Sequence, residues 1–428
     1  MNEYRQTVPM SLGWLDKNQI EQDKIKVLLS LLQEKGTLDE LGIGTIRDAF
    51  SNMLFPGITT IQTRAKYLVI LLYLFQEADK KARKSAEKKV SLSHEKLVQF
   101  INESQDSLVD VFKANALKTG MKERGVIGIR TRDVVQKPSS IYWSALTTYC
   151  MVNPNLSLYQ MCSSICHNAV EAEQKRNPSV KDKEIKNIDD YCEDASDACL
   201  DFPPLFSPIT WDNSNWREGL NMNLTYDEAE FISGKILTSP MSRNSVLAQL
   251  LIYFRDQVII YRKFSLDMIP EAALDEKMRQ ALQLAKAFRD FIFGAYLAYN
   301  YLLSNCTDVF VKEVYDNWKN QEDFNNVPLE EIMNISGAKL RQREFLRKLL
   351  NFAKAGQWSK FEDCVRQREI ALKLNRSKIG TYDPEKNPYV SPYNKPEDVY
   401  GMLLDFRAHQ AGIILKDILK GLIKGGRK

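Results

Sequence analysis

A chain of 428 residues, 44% hydrophobic and 27% charged, has the composition of a globular protein long enough for two or three domains and a sizeable core. Its formal net charge is only +4, which excludes a global field drawing it to nucleic acid or a membrane, so any basic surface has to be local. Seven cysteines, an odd and sparse set, fit reduced thiols rather than a disulfide framework.

Helical periodicity dominates the pass along the chain. Residues 1–12 lack the basic and apolar regions of a secretory signal. The longest apolar run, Tyr67 to Phe75, is about half a membrane span. The expectation is therefore a cytoplasmic protein with no membrane partner. Residues 18–34 place Ile20, Ile25, Leu28, Leu29 and Leu32 on one helical face, with Gly36 as a stop. A short helix, Arg47 to Leu54, ends before Pro56-Gly57. Thr59 or Thr60 is expected to cap a helix running to about Arg83, apolar all round in its middle and so buried on every side. Its tail, Asp79 to Lys89, holds six Lys/Arg and reads as solvated.

Residues 93–115 read as one or two helices. Gly120 to Lys137 follows, with Lys122, Arg124, Arg130, Arg132 and Lys137 around Gly125 and Gly128, the pattern of a loop or short hairpin. Pro138-Ser-Ser140 reads as the cap of a helix from Ile141, and another helix spans about 156–173. Residues 174–223 are charged, then rich in Pro, Asp and Asn, as in a linker or surface wrap. Further helices are expected at 225–237, 243–260, 271–304, 306–320, 338–355, 357–376 and 397–424. The fold expected is mainly α and multi-helical: an N-terminal helical domain (1–173) with a small hairpin or winged-helix-like element, the 174–223 linker and a C-terminal helical domain (224–428).

Several segments carry a resemblance: Leu12-Gly-Trp-Leu-Asp16, Gly36-Thr-Leu-Asp-Glu-Leu-Gly42, Ile46-Arg-Asp-Ala-Phe-Ser-Asn-Met-Leu-Phe-Pro-Gly57, Thr60-Ile-Gln-Thr-Arg-Ala-Lys-Tyr67, Gly125-Val-Ile-Gly128, Pro138-Ser-Ser-Ile-Tyr-Trp143 and Leu224-Thr-Tyr-Asp-Glu-Ala-Glu-Phe231. On these the chain resembles an uncharacterised family of bacterial proteins of comparable length, known only as a domain of unknown function. The resemblance implies a setting in phage-defence gene clusters that contain helicases and phospholipase-D-like nucleases. It carries over no active site.

Phosphate-loop, dinucleotide, zinc-protease and nucleophile-elbow motifs are missing, and only three histidines exist, His94, His167 and His409. Cys162-x-x-x-Cys166-His167, with Cys150 upstream and Cys192 and Cys199 downstream, is the nearest thing to a zinc cluster, set against the reading that buried Cys is a small hydrophobe. Glu184-x-Lys186 with Asp182 and Asp189 faintly resembles a metal-dependent nuclease signature, but lies in a polar, linker-like run. No metal and no cofactor are expected.

Basic clusters make the better case. Arg343, Arg347 and Lys354 form a stripe beside the apolar face of the 338–355 helix; Arg366, Arg368, Lys373, Arg376 and Lys378 follow, and Lys416, Lys420, Lys424, Arg427 and Lys428 end the chain. Such arrays suit phosphates, and equally suit ordinary solvated surface. Tyr142 and Trp143, after the glycine-containing loop, are either core anchors or part of a groove-reading helix with Arg130 and Arg132 on a wing. At Arg47, Arg64 and Lys66 two readings stand: an anion site at a helix N-terminus, or a lock in which Arg64 bridges to Asp48 or another carboxylate.

The candidate binding residues are thus Arg47, Arg64, Lys66, Lys122, Arg124, Arg130, Arg132, Arg343, Arg347 and Lys354, with no catalytic residue assigned. The function expected is a non-enzymatic subunit of a bacterial antiviral defence system that binds DNA, a helicase/nuclease partner, or both. The alternatives are a metal-dependent nuclease or other effector enzyme, and a pure protein–protein scaffold.

Overall fold

The structure, a computed structural model, describes residues 41–120, 123–129, 134, 136–176, 205–255, 257, 263–321, 323–381 and 389–425. The 18–34 helix expected from periodicity lies outside them, as do Cys192, Cys199 and the Asp182–Asp189 acidic run. The described residues are mainly helical. Among them the only extended pairing is an isolated antiparallel bridge between Val152 and Phe206, with no strand.

Two buried helices organise the rest. The first, α2 (Lys66–Glu87), follows α1 (Gly44–Leu54) across the Pro56-Gly57 turn. Every residue from Lys66 to Phe75 is buried, as the all-round apolar pattern requires. Around α2 pack α3 (His94–Thr119), α4 (Pro138–Thr148), α5 (Leu158–Arg176) and α6 (Tyr226–Thr238). The second, α8 (Glu276–Leu303), follows α7 (Val246–Tyr253) and contacts α1, α9 (Val309–Gln321), α10 (Leu329–Ile335), α12 (Trp358–Lys373) and α13 (Lys378–Thr381). The hairpin of α11 (Leu340–Lys354) and α12 turns at Ala355-Gly356-Gln357. After α14 (Pro396–Val399), α15 (Ala408–Gly425) packs on α6 and α7. The described residues belong to one compact unit.

Local signals account for most helix starts. Ser93 accepts from Lys96 N, Ser245 from Ala248 N, and Asp275 from Met278 N at 2.8 Å. Thr225 and Glu228 form a capping box on α6. Gly120, at φ +69°, closes α3 in the left-handed conformation.

Several boundaries differ from expectation. Neither Thr59 nor Thr60 caps α2, which begins at Lys66, and the intervening residues are irregular. The long helix expected at 397–424 is broken at Phe406 and Arg407, both at positive φ (+48° and +67°). The Arg407 side chain is drawn away to Ile58 O (2.9 Å) and Asn52 Oδ1 (2.8 Å), so the helix restarts at Ala408. Within Gly120–Lys137, residues 123–129 form a turn-containing loop, while Lys122, Arg130 and Arg132 lie outside the described residues. Residues 205–223 of the stretch expected as a linker lie along α2 and α3. There Trp216 Nε1 donates to Glu77 Oε1 at 2.8 Å, and Asn115 donates to the carbonyls of Arg217 and Leu220. Among the described residues no helix is long and apolar enough to cross a membrane.

Candidate functional site

The polar block between the Pro56-Gly57 turn and the first turn of α2 draws four distant parts of the chain together. Gly57 has φ +79°, and a Cβ there would come within 3.1 Å of Ala145 Cα, so the turn closes directly on α4. Tyr149 donates to Pro56 O at 3.0 Å, and Gln62 Nε2 donates to Gly57 O at 3.0 Å. The phenol of Tyr142, fully buried, accepts from Thr63 N and Arg64 N, both at 2.8 Å, and donates to Arg64 O at 2.7 Å. Burial, partly opposed by those amide donors, pushes its pKa up to about 12.

Arg64 is held on every side. Its Nε and Nη2 grip the Asp417 carboxylate at 2.8 and 3.0 Å, Nη1 reaches Arg124 O at 2.9 Å, and Nη2 reaches Met222 O at 3.0 Å. Asp417 also accepts from Ala65 N at 3.0 Å. The anion expected at this helix N-terminus is therefore supplied by the chain itself, from α15. Gly125 makes room: at φ +82°, a Cβ would meet Arg64 Cγ at 2.7 Å.

One residue beyond Ala65, Lys66 is buried against Glu228 of α6, with both carboxylate oxygens 2.6 Å from Nζ. Glu228 also accepts from Tyr73 Oη at 2.9 Å and Thr225 N at 2.8 Å, and Tyr73 in turn accepts from Trp211 Nε1 at 3.0 Å. Burial, reinforced by Glu228, raises the Tyr73 phenol far above the ordinary tyrosine range. A charged pair this deep is tolerable when its members find further hydrogen-bond partners, as the Glu228 carboxylate does in the Tyr73 hydroxyl and the Thr225 amide.

Of the two readings for Arg64, the geometry is that of a lock, with Asp417 as its carboxylate. Asp48 is taken by Arg407 Nη2 at 3.2 Å and by the adjacent Arg47 at 3.4 Å. Sequence reasoning did not pick Asp417 or Glu228. Two signals were present: Asp417 is the sole acid in α15, and Thr225-x-x-Glu228 has the spacing of a capping box.

The remaining candidates separate. Arg343 caps the end of α10, donating to Ala338 O (2.8 Å), Met333 O (2.9 Å) and Asn334 Oδ1 (2.9 Å). Arg347 forms a two-point pair with Glu330 at 2.7 and 2.8 Å on the surface. Lys354 and Arg124 are exposed. The α4 aromatics are anchors: Tyr142 tilts against Tyr67, and Trp143 meets Phe75 edge-on. Cys162 is buried and Cys166 half-buried, and burial raises their thiols to about 12 and about 11. Among the described residues no group of three or more His, Cys, Asp or Glu converges as a metal site would.

No curated protein and no solved structure matches the chain. Residues 10–172 match the model of a family of unknown function, DUF6361, and over that span, which holds α1 to α4 and nearly all of α5 but not the Leu224–Phe231 segment, the chain is similar to an uncharacterised domain family.

Proposed function

We propose that this protein is a non-enzymatic subunit of a bacterial antiviral defence system that binds DNA and holds a helicase or nuclease partner beside it. The defence setting rests on the family resemblance alone. DNA binding rests on one observation: cations divide into those consumed inside the fold, such as Arg64, Lys66 and Arg343, and those presented at the surface of packed helices. On the α11–α12 hairpin, Arg341, Lys348, Lys354, Lys360 and Arg366 are exposed, while Phe345, Leu346, Leu349, Phe361 and Val365 are buried beneath them. Cations on such a rigid base lose less freedom on meeting phosphates than cations on a loose tail.

The test is to titrate labelled duplex and single-stranded DNA with the full chain across a salt series, with and without magnesium, and to look for cleavage in the same tubes. Binding that weakens steeply with salt and leaves the DNA intact is the expected result. Magnesium-dependent cleavage would replace the binding role with an enzymatic one, and salt-independent or absent binding would leave only a protein partner.

A further inference from the structure

The charge of this chain is not spread over its surface. Residues 79–89, at the C-terminal end of α2, hold Lys80, Lys81, Arg83, Lys84, Lys88 and Lys89 against Asp79 and Glu87 alone. That excess equals the whole formal charge of the chain, +4, so the rest of the sequence is neutral in sum. All six cations are exposed. Where α5 ends, Arg176 approaches Glu87 at 3.9 Å, and Lys175 beside it pairs with Glu171 at 2.6 Å. Three of the six have near neighbours: Arg83 bonds Asp79 at 2.8 Å, Lys81 Nζ sits 4.1 Å from the centre of the Phe100 ring, and Lys80 lies within electrostatic reach of Asp212.

We propose that this helix end is the surface through which the protein contacts the phosphate backbone of duplex DNA, without reading bases; the proposal rests on the DNA-binding reading above and assigns it a place. Lys80, Lys84 and Lys88 follow one another at single-turn spacing, a row of about 12 Å along which a duplex carries about seven phosphates. The row is rigid, because Phe75, Ala78 and Ala82 of the same helix are buried. That burial also selects the partner: an interfacial membrane helix needs an apolar face free to insert, and here the core has taken it.

The helix terminus supports the same assignment. Lys88 N bonds Lys84 O at 3.2 Å, Lys89 N bonds Ala86 O at 2.9 Å and Val90 N bonds Ser85 O at 2.9 Å, so the end is closed rather than frayed. Lys89 occupies the left-handed region, φ +57°, where glycine fits at least cost and a side chain is strained by about 1 kcal/mol. In this sequence a cation stands at a position where backbone strain alone favours glycine.

The test uses the full-length protein and a fluorescent duplex, with the slope of log affinity against log salt as readout. Replacing Lys80, Lys84 and Lys88 together by Gln is expected to flatten that slope by about three, roughly one for each phosphate no longer neutralised, equally on unrelated sequences. The Lys→Arg triple should keep the wild-type slope, and Arg341→Gln/Lys348→Gln/Lys360→Gln on the α11–α12 hairpin, the other rigid cationic face, should flatten it less than the α2 triple does. Lys89→Gly should raise the melting temperature and weaken binding together. If the wild type binds steeply with salt but the hairpin triple loses the slope and the α2 triple does not, the surface is misassigned and the binding reading survives. Absence of any salt-dependent duplex binding removes both. Binding to phosphatidylserine vesicles without duplex binding overturns the choice of partner.

Discussion

Arg64 shows how one side chain can be read correctly in kind and still lack its partner. Its position before a buried helix predicts either an anion or a carboxylate bridge, and the bridge is formed with Asp417, far away in sequence. The pair is mostly buried, with side-chain exposures of 17% and 10%. Asp417→Asn should therefore destabilise the fold by about 3 kcal/mol, chiefly by leaving the guanidinium charge uncompensated. Arg64→Met/Asp417→Leu should cost clearly less than the sum of the single changes. Urea unfolding of the wild type, Arg64→Met, Asp417→Leu and the double variant decides the matter; additive losses would mean the two groups do not act as a unit. Gly125→Ala should weaken the same lock, since its new methyl group lands on the Arg64 stem.

At the scale of elements, helix cores were legible and helix ends only partly so. Ser93, Thr225, Ser245 and Asp275 cap their helices by contacts over three residues, and the two starts expected at 243 and 271 fall instead after Ser245 and Asp275. The start of α2 was misplaced because its cap is tertiary: Tyr142 and Asp417 satisfy the amides of residues 63–65 from α4 and α15. The α8–α9 contact likewise depends on a residue whose role no pattern announces. A Cβ on Gly294 would lie 2.1 Å from the Trp318 ring, which stacks on Tyr315, meets Phe324 and Trp358 edge-on and tilts against Phe361. Gly294→Ala should cost about 2 kcal/mol or more by overpacking, despite the higher helix propensity of alanine. Thermal melting followed by tryptophan fluorescence measures it, and a gain in stability would show that the ring yields freely.

Across the whole molecule, burial of polar groups sets the response to pH. The phenols of Tyr67, Tyr73, Tyr142, Tyr149 and Tyr315 are all raised above their ordinary value of 10.0 by burial, Tyr142 to about 12. A folded-state pKa above the unfolded one means stability fully present below pH 10.0 and lost as pH rises towards 12 and beyond. Helicity and tyrosine ionisation should then change in one cooperative alkaline transition. Exposed Tyr159, Tyr226, Tyr253 and Tyr400 lie outside that transition, so it is ionisation of the five buried phenols near pH 10 with helicity intact that would contradict their burial. Thiols should divide in the same way: near neutral pH, alkylation should reach exposed Cys306 well before buried Cys162, whose thiol is raised to about 12. Rapid labelling of Cys162 in the folded protein would argue against its place in the core.

The sequence by itself determined that this chain is helical, that the Tyr67–Phe75 run is wrapped on all sides, and that positive charge gathers at residues 79–89. Each of these follows from periodicity or composition within a few helical turns, and short-range physics suffices for it. Only the tertiary structure decided which carboxylates meet Arg64 and Lys66, that Arg343 serves as a helix cap, and which cations are left at the surface. Those outcomes turn on which of 55 acidic side chains, or for Arg343 which carbonyls, arrive within hydrogen-bond reach, and that depends on helix packing rather than on spacing along the chain.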